Sequence, residues 1–247
     1  MINNNYNEIN EFEIKNILLF TIFVISSFLM HHHADFQIFK YTFKTFEVFF
    51  HEASHSIVAM AFNGSIVEFN LEFNGGGHIG HFGASDIGKV FTSFSGYFGA
   101  SIWGFLIYIS ALYNQRWIKI PIILFMSAFI IVAKNLETML IIVGMMFLMI
   151  ILWKIKSKEF SNGILRFIGV FIIVSAIYSP TYLFNYSNSG DHVSMSKYTL
   201  IPSLIWIIIW TVFSIFLLYK SFKITLKKRN KKCQTMNKKE KNHVLLQ

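Results

Sequence analysis

One cysteine, Cys233, in 247 residues leaves no partner for an intramolecular disulfide and no thiolate cluster for zinc. Three prolines and 14 glycines are too few for a fibrous or low-complexity chain. Charge is scarce as well: Asp, Glu, Lys and Arg make up 14% of the residues, against about 25% in a soluble domain. These shortages exclude a soluble enzyme, a disordered tail protein and a disulfide-rich secreted module. What fills the chain is apolar: 54% hydrophobic residues, 28 Phe and a mean hydropathy of +0.50. Several apolar runs approach the roughly 20 residues that cross a bilayer, which predicts an all-α polytopic membrane protein of about six to seven transmembrane helices.

The few charges are unevenly spread. Residues 220–247 hold ten Lys or Arg and one acid, Glu240, a net of +9 that equals the net charge of the whole chain. The rest of the chain is balanced, so the basic character is a tail. A Lys-rich stretch directly after an apolar segment reads as a cytoplasmic anchor touching anionic lipid, not as a nucleic-acid site. The expected division is a polar segment over 1–16, a membrane-embedded domain over 17–219 and a basic cytoplasmic tail over 220–247. The first 15 residues are Asn-rich with three Glu, unlike the basic start of a signal peptide.

Apolar segments fall at about 17–30, 43–62, 91–112, 118–133, 136–153, 164–185 and 198–219. Between the second and third, residues 65–73 alternate Ile66, Glu68, Asn70, Glu72 with Val67, Phe69, Leu71, Phe73, the period of two that marks a strand. Asn74-Gly75-Gly76-Gly77 reads as a turn and 78–82 as a return strand, so a short hairpin is expected at the membrane surface. Arg116, Lys119, Lys154, Lys156 and Lys158 share the side of the tail if each segment crosses once, which places the C-terminus in the cytoplasm and the hairpin outside. Lys134 is the discordant charge and marks a broken or re-entrant helix pair.

Within the second segment, His51-Glu52-Ala53-Ser54-His55 forms H-E-x-x-H. On a helix, residues i and i+4 lie one above the other, so both imidazoles can reach one Zn²⁺ at about 2.0–2.1 Å. Glu52 stands beside them, placed to take a proton from water activated by the metal. Ionisable residues are expensive inside an apolar span, and a metal supplies a reason for three of them in one helix.

The stretch over 49–64 (F-F-H-E-A-S-H-S-I-V-A-M-A-F-N-G) resembles the first motif of the site-2 protease family of intramembrane zinc metallopeptidases, in particular the bacterial branch with H-E-x-G-H-A followed by a short Gly-bearing hairpin. Phe94-Ser95-Gly96-Tyr97-Phe98-Gly99 resembles the A-G-Y-x-G segment of that branch, and Ala133-Lys134-Asn135 its Arg-Asn pair. Ser189-Gly190-Asp191, ahead of Ile201-Pro202 and of Trp206 and Trp210, resembles its S-D segment before an I-P-x-x-x-W helix. Ser54 stands where the branch has Gly, and the L-D-G motif that carries the third ligand in other site-2 proteases is absent. The resemblance points to Asp191 as third ligand, and to a bacterial inner membrane.

Other residues admit more than one reading. Glu47, four residues before His51, is read as an acceptor behind an imidazole, as a ligand or as a snorkelling acid. Asn135 is read either as a donor to an oxyanion or as a helix cap ahead of Leu136-Glu137-Thr138. His31, His32 and His33 point in different directions on a helix and suit an interfacial cluster. His78 and His81 suit the surface or the entrance of a site, and His192 is an alternative ligand. The combined expectation is a zinc metallopeptidase: His51, His55 and Asp191 as ligands, Glu52 as general base, and a membrane protein or peptide as substrate. An edge strand in the 65–82 hairpin would receive the extended substrate, with proline at Val67 or Phe69 as the test. A catalytically silent scaffold and, less favoured, a metal transporter are the alternatives.

Overall fold

The computed structural model describes residues 2–114, 118–182 and 190–244, with side chains described over 14–33, 35–114, 118–181 and 190–226. Arg116 and Ser189 lie outside the described residues, as do the side chains of the tail beyond residue 226. Helix α1 (Ile2–His32) leads through a single 3-10 turn into α2 (Gln37–Ala61). Strands β1 (Ser65–Leu71) and β2 (Gly77–Phe82) follow, then α3 (Asp86–Leu112), α4 (Lys119–Ile130), α5 (Leu136–Lys154), α6 (Lys158–Tyr182), α7 (Asp191–Thr199) and α8 (Ser203–Val244). Helix α1 starts at Ile2, so the polar stretch ahead of residue 17 continues the first helix, and α8 runs without a break into the basic tail.

Five helical stretches are long and apolar enough to cross a bilayer: Ile14–His32, Asp86–Leu112, Leu136–Lys154, Lys158–Thr181 and Ser203–Leu226. The chain is an integral membrane protein of the all-α polytopic kind with one small hairpin. The other two apolar segments are α2, which carries the ionisable residues, and α4. With 12 residues α4 extends about 18 Å, well short of a hydrocarbon core of about 30 Å.

The hairpin packs against the end of α4. Phe69 donates its backbone N–H to Val132 O at 3.2 Å and pairs in parallel with Ala133, just past the end of α4. Leu71 N–H donates to Thr138 Oγ1 at 2.8 Å in the first turn of α5. Phe69 and Leu71 are buried, packed with Phe49, Phe129, Ile141 and Ile142. One face of the hairpin is thus built into the protein core, while Val67, Phe73 and Phe82 stay exposed. Lys134 sits, exposed, in the break between α4 and α5.

Local chemistry sets the element ends. Ser85 Oγ accepts from Gly88 N at 3.1 Å to cap α3, and Asn135 Oδ1 accepts from Thr138 N at 2.7 Å to cap α5. Gly75, with φ of 82°, makes the hairpin turn in a conformation that favours glycine. Helices α3 and α6 cross at Gly104 and Gly169, where a Cβ on either would lie within 2.8 Å of the other's carbonyl oxygen. Helix α3 also meets α2 closely, at Gly96 and Gly99 against His51, His55 and Ser54.

Candidate metal centre

Helix α2 is amphipathic in an unusual way. Phe46, Phe49 and Phe50 fill the core, while His51 and His55 face a cavity of about 710 Å³. The spacing of four brings the imidazoles together, with His51 Nε2 and His55 Nε2 3.0 Å apart. Asp191, the first residue of α7, reaches the same point from 136 residues downstream, its Oδ2 3.1 Å from His51 Nε2 and 3.2 Å from His55 Nε2. Gly190, with φ of 110°, turns the chain into α7 there.

The three atoms form a nearly equilateral triangle. Tetrahedral ligands at 2.0–2.1 Å from a metal are about 3.3 Å apart, close to the separations observed. The protonation pattern points the same way. His55 Nδ1 lies against the Thr92 carbonyl oxygen, which accepts only, so this nitrogen carries the hydrogen. In the neutral ring the Nε2 lone pair then faces the Asp191 carboxylate and the second imidazole, an arrangement that a cation at the centre stabilises. Burial by itself would raise the Asp191 carboxyl pKa, but in the metal-free site His55 and His51, when protonated at Nε2, donate to it and hold it well below the usual carboxylate range, so Asp191 is an anion whose charge a bound cation takes over from those protons. The donor set of two imidazoles and one carboxylate fits a divalent metal, zinc included, and among the described residues it is the one cluster of three such groups that could hold an ion.

Helix α3 seals the opposite side. A Cβ at Gly96 would lie 2.5 Å from His51 Nε2 and closer still to His55 Nε2, so only glycine leaves the ligand atoms room. Gly99 gives way to Ser54 in the same manner, which leaves room for the serine side chain on α2. Ser54 Oγ is satisfied by the Phe50 carbonyl at 2.6 Å. The Tyr97 ring packs edge-on against His51 at 4.4 Å between centroids and leans on Trp210, whose Nε1 donates to Phe94 O.

Glu52 is buried on the cavity wall, and Gly77 of β2 lies against it: a Cβ there would be 3.2 Å from Glu52 Cγ. Glu47 also lines the cavity, but its carboxylate meets Lys44 Nζ at 2.6 Å, and Lys44 is further bonded to Ser179 Oγ. Asn135 is not among the cavity residues: it caps α5 and donates Nδ2 to Asn70 Oδ1 at 2.8 Å. His192 is buried and absent from the cavity wall. His31 and His32 pair with Ser175 and Tyr178 near the end of α6, away from the metal ligands. Sequence reasoning passed over Lys44, Thr92 and the packing role of Gly96. Lys44 carried a visible signal, a cation two helical turns before His51 in an otherwise apolar helix.

Fold and site together define a polytopic membrane protein with a candidate metal centre built on H-E-x-x-H. The chain belongs to the Peptidase M50B-like family, whose model matches residues 18–221, in keeping with the resemblance to the site-2 proteases. No curated protein and no solved structure gives a match.

Proposed function

We propose that this chain is a membrane-embedded zinc metallopeptidase that hydrolyses a peptide bond of a membrane protein or peptide substrate. The observation that carries the reading is the meeting of His51 Nε2, His55 Nε2 and Asp191 Oδ2 within 3.2 Å beside Glu52, in a cavity, in a member of a peptidase family. Those three residues would hold Zn²⁺, which supplies a Lewis acid and lowers the pKa of water. Glu52 takes the proton from the water that attacks the carbonyl carbon and returns it to the leaving nitrogen. Thr92, through its carbonyl, holds the His55 ring in the tautomer that turns Nε2 to the metal.

A substrate must be extended before its peptide bond is accessible, and a free strand edge can hold it so. Strand β1 is flanked by β2 and, at Phe69, by Ala133, so β2 is the available edge. Gly77, His78, Ile79 and His81 of β2 line the cavity, which moves the proline test from Val67 or Phe69 to Ile79. The basic tail anchors the C-terminus at anionic lipid on the cytoplasmic face of a bacterial inner membrane. The test is Glu52→Gln: it abolishes proteolysis while bound zinc stays at the wild-type level. Equal proteolysis by the variant would refute the assignment of the base.

A further inference from the structure

Strand β2 brings two histidines to the cavity, and they differ in their partners. His78 Nε2 lies 3.0 Å from Asn70 Nδ2 and 3.8 Å from the Glu68 carboxylate. The His81 ring makes no hydrogen bond or ion pair to a described residue, and its Nδ1 is shielded from solvent. A shielded N–H without an acceptor is less tolerable than a shielded lone pair, so the tautomer with hydrogen on Nε2 is favoured. Burial, and then the charge of Lys89, lower the His81 pKa, which favours the neutral ring. The result is an uncommitted Nε2–H on a ring that lines the same cavity as His51, Glu52, His55 and Asp191. The ladder is irregular at this register: a bulge falls between Ile66 and Glu68, opposite His81 and Gly80. Bulges next to active sites re-aim side chains, and this one alters the strand pairing at the residue that supplies the donor.

We propose that His81 is a further catalytic residue, donating Nε2–H to the scissile carbonyl oxygen as that oxygen gains negative charge; the assignment rests on the metallopeptidase reading. As the water oxygen bonds to the carbonyl carbon, the C=O π pair moves onto the carbonyl oxygen and Glu52 takes the water proton. His81 lends a hydrogen bond and transfers no proton. The pair returns to re-form C=O as the C–N bond breaks, and the leaving nitrogen takes the proton from Glu52. A donor placed where charge develops is worth about 10²–10³ in kcat.

The test uses full-length, zinc-loaded protein in detergent, with His81→Ala and His81→Gln beside wild type. Turnover is followed on fluorescein-labelled casein. Binding is read separately, in the Glu52→Gln background, with a phosphinic tetrapeptide that mimics the oxyanion and with its amide counterpart. The expected result for His81→Ala is kcat lower by about 10²–10³, KM and zinc content near wild type, and phosphinic binding weakened while amide binding is kept. His81→Gln, which retains an N–H donor, recovers part of both losses. Unchanged kcat, a rise in KM alone, or equal weakening of the two ligands would overturn the assignment. Zinc-loaded wild type with no turnover and no preference for the phosphinic ligand overturns the metallopeptidase reading itself.

Discussion

Replacing Gly96 by alanine adds one methyl group at the most crowded point of the site. The new Cβ would lie 2.5 Å from His51 Nε2, where contacts of 3.4 Å or more are ordinary, so about 0.9 Å of overlap must be relieved. Neither ring has an easy retreat. His55 is tied through Nδ1 to the Thr92 carbonyl, and His51 is packed against Tyr97. Helix α3 is held in turn by its crossing with α6 at Gly104 and Gly169. Metal–ligand distances tolerate about 0.2 Å, so displacement on this scale falls on metal affinity before it falls on the fold. An overpacking cost of about 1–3 kcal/mol corresponds to roughly 5–150-fold weaker zinc binding at 1.4 kcal/mol per tenfold. Zinc competition against a chromophoric chelator reads the loss directly. Gly163→Ala is the control, because a Cβ there meets nothing within 4 Å. Wild-type zinc affinity in a folded Gly96→Ala protein would refute the packing argument and the position of the metal with it.

Lys44→Met strands the 2%-exposed Glu47 carboxylate without its ammonium partner, and the expected loss is about 3–5 kcal/mol in unfolding from mixed micelles. The double variant Lys44→Met/Glu47→Leu recovers most of that stability and keeps its zinc; loss of zinc in the double variant would show that Glu47 orients a ligand instead. Asn135→Ala removes the α5 cap and the bond to Asn70, lowering stability by about 1 kcal/mol with zinc content unchanged, read by thermal melting and elemental analysis.

Short-range patterns were legible in the sequence and long-range closures were not. The spacing of His51 and His55 on an apolar helix announces a shared face, and the alternation over 65–73 announces a strand. Each needs only local geometry. Asp191 is 136 residues from His55, and no periodicity at Asp191 points at α2; it was reached chiefly through resemblance, with the Gly190 turn and the scarcity of other acids in support. The hairpin's burial was hidden for the same reason, since it depends on Phe69 and Leu71 meeting the junction of α4 and α5. Lys134 did register that junction, because a charge between two apolar runs is hard to place in an unbroken span. Hydropathy also hid the true start of α1: a polar helix continuing from a span lacks the apolar signal that reveals the span. Asn135 illustrates a choice between two readings that sequence left open. Its described bonds make it a helix cap, with both side-chain atoms engaged.

The proposed metal centre requires that His51, His55 and Asp191 together hold one ion. Elemental analysis of detergent-purified protein, wild type beside His55→Ala and Asp191→Ala, tests it most directly. About one zinc per chain is expected in wild type, with loss of that zinc in both variants. Zinc retained by Asp191→Ala would contradict the third ligand, and well-folded wild type that takes up no zinc would contradict the metal centre.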